Sequence, residues 1–98
     1  MTYRLSLRAR DDLRSLYREG AVKFGVGQAD RYFEALHDAL ELLAAFPRSG
    51  HERNDGDAGM RILPFKAHII VYVIEGQMVL VMRIRHGREN WRASPLGE

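Results

Sequence analysis

AHIIVYVIEGQMVLVMRIRH, residues 67–86, is the stretch that decides the fold of this 98-residue chain. Its first apolar run predicts a strand near residues 67–75 that is buried on both faces or held in a covered central position. Glu75-Gly76-Gln77 is typical of a hairpin turn. Residues 78–86 then form the partner strand, which is apolar as far as Arg83. The stretch therefore predicts a hairpin of two antiparallel strands.

Two amphipathic helices are expected upstream of this hairpin. Apolar residues recur at helical spacing over residues 9–24 and again over residues 28–46, with charged residues between the stripes. Asp11 and Asp12 are expected in the first turn of the first helix, where the helix dipole favours negative charge. Because only Gly25-Val26-Gly27 separates the two patterns, the helices should form an antiparallel hairpin.

Two shorter strands complete the pattern. Apolar and polar residues alternate over residues 3–8, which predicts a half-buried strand. Another strand is expected at residues 60–63, after the polar, glycine-rich loop 48–59 and before Pro64. We therefore expect an α+β domain in the order β-α-α-β-β-β: an N-terminal strand, an antiparallel helical hairpin and then a three-stranded antiparallel sheet.

The chain is expected to be a single domain over residues 1–98, with residues 91–98 as a loose C-terminal tail. The helical hairpin covers one face of the sheet and leaves the other face partly exposed, which points to a partner. The expected core residues are Leu5, Leu13, Leu16, Tyr32, Leu36, Leu40, Leu43, Ile70, Tyr72, Leu80 and Met82.

The composition excludes several functional classes. Apolar residues make up 46% of the chain and charged residues 29%, which is typical of a globular protein rather than a disordered one. Without cysteine, disulfides and thiolate metal sites are excluded, and the four histidines are not at metal-ligand spacing. The longest apolar run, residues 69–74, is too short to cross a membrane. We expect a cytoplasmic protein with no metal, no cofactor and no membrane association.

Charge is segregated along the chain. Residues 1–18 carry five arginines against two aspartates, and residues 83–92 carry four arginines against one glutamate, a local charge of +3 in each case. Residues 19–46 carry five acidic residues against two basic ones, a local charge of −3. Because arginine pairs well with carboxylates and phosphates, these segments suggest a polar partner surface.

One cluster, Arg83–Trp91 with Arg61 nearby, has residue types suited to RNA cleavage. That reaction needs a base, an acid and cations around the phosphorane. His86 is a candidate acid or base, and Trp91 is a candidate platform for stacking on a nucleobase. The alternative is a strand end whose arginines pair with carboxylates of a partner or of this chain. In a nuclease the candidate catalytic residues are His86, Arg61, Arg83 and Arg88.

The order of several motifs resembles the ParE/RelE superfamily of bacterial toxins, and the ParE branch more closely. The matching motifs are Tyr3-x-Leu5-Ser6-x-x-Ala9-x-x-Asp12-Leu13, Phe24-Gly25-x-x-Gln28-Ala29-x-x-Tyr32, His68-Ile69-Ile70-Val71-Tyr72 and Arg83-Ile84-x-His86-x-Arg88. The two long helices, the junction between them and the final motif are the features that favour the ParE branch.

The resemblance implies a toxin of a bacterial type II toxin–antitoxin module, which serves plasmid or genome maintenance by inhibiting growth. Such a toxin is neutralised by a ParD-like antitoxin and reaches operator DNA only through it. ParE toxins inhibit DNA gyrase, whereas RelE relatives cleave mRNA on the ribosome. With only Lys23 and Lys66, and Trp91 where a tyrosine is expected, the chain departs from the nuclease pattern. A gyrase inhibitor without catalytic residues is favoured; the alternatives are a RelE-like ribosome-dependent endoribonuclease and a degenerate toxin that only binds its antitoxin.

The resemblance and the segregated charge together imply two sets of contact residues. The antitoxin is expected to bind Arg4, Arg8, Arg14, Arg83 and Arg85. The target is expected to bind Arg83, Arg85, His86, Arg88 and Trp91.

Overall fold

A computed structural model describes residues 2–53 and 59–96, so parts of the expected 48–59 loop and 91–98 tail lie outside the described residues. The elements are the strands β1 (Thr2–Leu5), β2 (His51–Glu52), β3 (Arg61–Phe65), β4 (His68–Glu75) and β5 (Met78–His86) and the helices α1 (Leu7–Phe24) and α2 (Val26–Ala45). The order of the predicted elements is confirmed, and β2 is an addition to it. Neither described helix is long and apolar enough to cross a membrane.

The five strands form one mixed sheet in the order β1-β5-β4-β3-β2. β1 runs parallel to β5, and the other neighbouring pairs are antiparallel. The α+β class is confirmed, but the prediction of a three-stranded antiparallel sheet is wrong. β4 and β5 are apolar along most of their length and lie inside the sheet, so β5 needs a further neighbour, which β1 supplies.

Ser6 explains why the first strand is shorter than predicted. Its hydroxyl donates to the carbonyl of Met82 at 2.7 Å and accepts the N–H of Ala9 at 3.0 Å. One side chain therefore ties the end of β1 to β5 and caps the N-terminus of α1. The strand ends at Leu5 and the helix begins at Leu7, where alternation predicts strand as far as residue 8.

Both helices begin earlier than predicted. Because α1 starts before residue 9, Asp11 and Asp12 lie beyond its first turn, contrary to the prediction. Only Gly25 separates the helices, with a φ of +90° that glycine adopts without strain, and α2 begins at Val26.

Pro64 does not end the third strand as predicted. β3 continues to Phe65, and Pro64 pairs with Ile69 of β4. Since β2 pairs only with Arg61 and Ile62, β3 is an edge strand at Pro64, which is where a sheet tolerates proline.

A β-bulge at Met82 sets which side chains of β5 face the helices. Adjacent residues of β4 pair with Val81 and Arg83, leaving Met82 without a partner in the ladder. The extra residue reverses the alternation, so Ile84 joins Val81 in the helix-covered core and Arg83 turns to the other face.

The core on the helix-covered face confirms most of the predicted core residues. Leu36, Leu40, Leu43, Ile70 and Tyr72 are buried, and Leu5, Leu13 and Leu16 pack against them, partly buried. The prediction is wrong for Leu80 and Met82, because the alternation along β5 buries Val79 and Val81 on this face instead.

The second face of the sheet is covered by the C-terminal residues of the chain. The buried residues there are Met60, Ile62, Ile69, Val71 and Trp91, with Val73 and Leu96 packed against them. Trp91 is 9% exposed, so residues 91–96, here called the C-terminal strap, pack on the sheet where a loose tail and a partly exposed face were expected.

Candidate functional site

Arg83 is mostly buried and forms an ion pair with α1. Its guanidinium donates to both carboxylate oxygens of Asp12, at 2.7 and 2.9 Å, and both side chains are 15% exposed. The hydrogen bond to Asp12 raises the pKa of Arg83. Asp12 also accepts the N–H of Ile84 at 2.9 Å. Its carboxylate therefore supplies a hydrogen-bond acceptor to the backbone of β5 where β1 no longer pairs with that strand. The ion pair therefore fastens α1 to the sheet.

Arginines also hold the C-terminal strap. Arg83 donates to the carbonyl of Leu96 at 2.7 Å, and Arg85 donates to the carbonyl of Ser94 at 2.6 Å. Arg85 pairs in addition with Glu89 at 2.8 Å. Two arginines expected to meet the antitoxin and the target thus have partners within the chain.

Trp91 also anchors the strap, by packing on the second face of the sheet. Its ring is buried in the second core, and the guanidinium carbon of Arg92 lies 4.4 Å from the ring centroid. Arg53 donates to the carbonyl of Arg92 at 2.8 Å. The indole therefore has a packing role, and the guanidinium of Arg92 lies over its ring.

Arg61 lies away from His86. It donates to the carbonyl of Gly50 at 2.7 Å and pairs in the sheet with Tyr72. His86 pairs instead with His68, the first residue of β4. Arg61 and His86 therefore lie on strands separated by β4, at positions four residues apart along it.

His86 lies next to His68, which belongs to one of the matching motifs but was given no functional role from the sequence. The ring centroids of His68 and His86 are 5.2 Å apart, and 2.7 Å separates the Tyr32 hydroxyl from Nδ1 of His68. Nδ1 of His86 accepts the N–H of Arg88 at 3.1 Å, and Nζ of Lys66 lies 5.5 Å from the centroid of Tyr32. We call Tyr32, Lys66, His68, His86 and Arg88 the two-histidine cluster.

Burial is the main influence on the pKa values of His68 and Tyr32. It lowers the pKa of His68, and the neighbouring His86 lowers it further, while Glu19 and Glu89 act in the opposite direction. Burial also raises the pKa of Tyr32. Among the described residues, no three His, Cys, Asp or Glu side chains are grouped so that they could hold a metal ion.

An open groove of about 1000 Å³ runs along α1. It is lined by Leu5, Arg10, Leu13, Arg14, Tyr17, Arg18, Ala21, Val22 and Phe33. Arg10, Arg14 and Arg18 recur at every fourth position and so follow one edge of the helix. Val22 is 82% exposed, and Phe33 is 37% exposed. Apolar side chains beside a row of cations fit an amphipathic helix with acidic residues.

The expected antitoxin-binding arginines fall into two groups. Arg14 lines the groove and Arg4 lies beside Arg10 around an adjoining pocket, Arg8 is exposed on α1, and the other two hold the strap. Arg10 and Arg18 were not predicted, although their spacing from Arg14 is visible in the sequence.

Sequence comparison relates the chain to known toxins. Residues 3–91 match the family model described as ParE toxin of type II toxin–antitoxin system, parDE. The chain is 33% identical over 91 residues to toxin ParE1 of Caulobacter vibrioides, covering 93% of this chain and 94% of the relative. It is 31% identical over 87 residues to toxin ParE1 of Mycobacterium tuberculosis, covering 88% and 89% respectively.

Two solved structures share the fold. The chromosomal ParDE system from P. aeruginosa matches with a TM-score of 0.76 and 19% identity, covering 88% of this chain and 95% of that chain. The toxin–antitoxin complex RelBE2 from Mycobacterium tuberculosis matches with a TM-score of 0.68 and 22% identity, covering 87% and 95%. At these identities the likeness establishes a common architecture.

Proposed function

The chain belongs to the ParE family of toxins of type II toxin–antitoxin systems, and from that premise we propose that it inhibits bacterial growth by binding DNA gyrase and is neutralised by a ParD-like antitoxin. It acts as one domain over residues 1–98, in the cytoplasm and without a cofactor, and reaches operator DNA only through the antitoxin. The observation that carries the proposal is the family match over residues 3–91, which takes in both helices and nearly the whole sheet.

The groove along α1 supports the antitoxin part of the proposal. Its apolar lining suits the apolar face of an antitoxin helix, and Arg10, Arg14 and Arg18 suit acidic residues along the edge of that helix. Arg4 extends the same basic surface, since it lies beside Arg10 around an adjoining pocket, and Arg8 is a further exposed arginine of α1. Arg83 and Arg85 serve the complex indirectly, by holding the strap and α1 in place.

The arrangement at the end of β5 supports a toxin that acts by binding its target rather than by catalysing a reaction. Arg88 is exposed there, beside the half-buried His86. Arg61 and Arg83 direct their donors at Gly50 and Asp12. Proton-transfer catalysis needs its acid, base and cations together at the reacting atoms. In the proposed mechanism Arg88 and His86 touch gyrase, and the strap supports them.

Inducible expression of the chain and two variants tests the proposal. We expect growth arrest with a DNA-damage response and filamentation, retained by His86→Gln and weakened by Arg88→Ala. Arg48→Ala is a matched control, since it removes an exposed arginine elsewhere. Arrest with mRNA cut inside ribosomes and no DNA-damage response would contradict the gyrase proposal.

The two-histidine cluster favours a ribosome-dependent endoribonuclease as the second candidate. Paired imidazoles can serve as acid and base, and Lys66 and Arg88 supply cations. A nuclease of this kind would lose about a hundredfold or more in cleavage rate on His86→Gln while remaining folded and bound to its antitoxin. A chain that causes neither DNA damage nor mRNA cleavage would be a degenerate toxin.

A further inference from the structure

The groove along α1 has charges of opposite sign on its two sides. Its α1 side carries a basic row, Arg10, Arg14 and Arg18. Its α2 side carries an acidic row, Asp30, Glu34 and Glu41. Asp30 lies at the groove because it accepts the hydroxyl of Tyr17 at 2.6 Å, and Glu41 lines the adjoining pocket together with Arg10. Glu34 is four residues from Asp30 and therefore lies on the same face of α2.

Charges in both rows remain available to a partner. Within residues 2–53 and 59–96, neither Arg18 nor Glu34 takes part in an ion pair. Arg14 pairs with Asp11, but both side chains of that pair are more than 70% exposed. A helix with acidic residues matches the basic row alone. A second copy of this chain carries a row of opposite charge for each of the two rows.

The groove ends in exposed apolar side chains at the junction of the helices. Val22, Phe24 and Val26 surround Gly25 in the sequence, and each is more than half exposed. Val22 also lines the groove, so this apolar end is continuous with it. Apolar side chains gathered at one place on a surface, with charged residues beside them, are typical of a protein–protein interface.

A single two-fold arrangement matches both the charges and the apolar end. In a symmetric dimer each copy presents the same surface to the other. A two-fold axis parallel to the groove places the basic row of each copy over the acidic row of the other, and it brings the two apolar ends together. An axis across the groove would place basic row against basic row.

The spacing of the charges along the helices fits the first arrangement. Arg18 is seven residues from Gly25 at the helix junction. Asp30 and Glu34 are five and nine residues from the same glycine. Because both helices rise equally per residue, Arg18 of one copy would lie level with the space between these two carboxylates of the other.

We infer that the groove and its apolar end bind a second copy of the chain, with the two-fold axis parallel to the groove. The apolar ends form the centre of the interface, and the two charged rows form pairs at its rim. Since the groove is also the surface proposed for the antitoxin, the antitoxin and the second copy exclude each other. The inference goes beyond the proposed function, because it requires neither gyrase nor antitoxin.

Analytical ultracentrifugation of the purified chain tests this inference at concentrations up to about 100 µM. We expect a monomer–dimer equilibrium that shifts towards the monomer as salt is added, because salt screens the charges at the rim. Arg18→Glu and Glu34→Arg should each raise the dissociation constant of the dimer about tenfold, since each places like charges together. The double variant restores opposite charges and should recover most of the lost affinity.

Arg48→Glu is the matched control, because it makes the same change of charge at an exposed arginine that does not line the groove. It should leave the dissociation constant unchanged, and the thermal midpoint of each variant shows that it is folded. A monomer throughout the concentration range would overturn the inference. So would a dimer that neither single variant weakens, or one in which the double variant recovers no affinity. Antitoxin and gyrase are absent from the experiment, so its outcome is independent of the proposed function.

Discussion

At the residue scale, the neighbouring Asp11 and Asp12 provide a matched pair of tests. Asp12 accepts three hydrogen bonds at 15% exposure, whereas the Asp11–Arg14 pair is more than 70% exposed on both sides. Asp12→Asn should lower the free energy of unfolding by about 3 kcal/mol, because Arg83 loses its charged partner in a mostly buried place. Asp11→Asn should change nothing measurable. Urea denaturation compares the two, and equal effects would contradict the assignment.

The surroundings of His68 determine how the free energy of unfolding changes with pH. Burial and His86 lower its pKa in the folded state, whereas Glu19 and Glu89 act in the opposite direction. Between the folded and unfolded pKa values the unfolded chain binds more protons, so stability is present above about pH 6.5 and falls as the pH decreases below it.

The variant His68→Gln isolates this contribution, since glutamine keeps a polar group of similar reach beside Tyr32. The free energy of unfolding of the wild type should decrease more steeply on acidification than that of the variant. Parallel pH profiles would mean that His68 does not titrate differently in the folded and unfolded states.

Residue pairings limit what the sequence could reveal about the site. Counting outward from the turn after β4 pairs His68 with Arg85, and only the bulge at Met82 moves it opposite His86. Likewise Asp12 and Arg83 are 71 positions apart, and no local pattern predicts that they meet. The residue types of the site were visible in the sequence, but its contacts were not.

At the element scale, the C-terminal strap is the largest departure from the expected structure. A polar, proline-containing terminus predicts a loose segment, yet Trp91 and Leu96 cover the second face of the sheet. The helices and the hairpin were predicted because their sequences carry strong periodicity. The position of the strap depends instead on individual side chains, Trp91 and Leu96. Ser6, which caps α1 and bonds to β5, was likewise read as part of a strand.

Trp91→Ala should release the strap and lower the free energy of unfolding by about 3–5 kcal/mol, the usual cost of removing a buried tryptophan. Trp91→Phe keeps most of the buried apolar surface and should cost less. Hydrogen exchange of residues 91–96 together with urea denaturation measures both effects. Unchanged stability and exchange in Trp91→Ala would mean that the strap does not pack on the sheet.

At the scale of the whole molecule, the parallel pairing of β1 with β5 was beyond prediction from local patterns. Thr2 pairs with Met78, and alternation in the first strand gives no information on its partner. The order of the elements and most of the helix-covered core followed from periodicity, with Leu80 and Met82 as exceptions. Patterning therefore predicted the apolar faces of the helices, while the closure of the sheet depended on contacts distant in sequence.

The groove along α1 gives a prediction for the complex with the antitoxin. Val22→Asp places a negative charge among the groove residues and should weaken binding of a ParD-like antitoxin about thirtyfold, mainly through faster dissociation. Leu42→Asp is the matched control, because Leu42 is 62% exposed on α2 and does not line the groove. Surface plasmon resonance compares them, and equal losses of affinity would place the antitoxin elsewhere.

A DNA supercoiling assay with purified components tests directly whether the chain inhibits gyrase by binding. The chain should inhibit supercoiling in proportion to its concentration, His86→Gln should inhibit equally well, and a ParD-like antitoxin should restore activity. Undiminished supercoiling at saturating toxin, together with mRNA cleavage when the same preparation is added to translating ribosomes, would contradict the account.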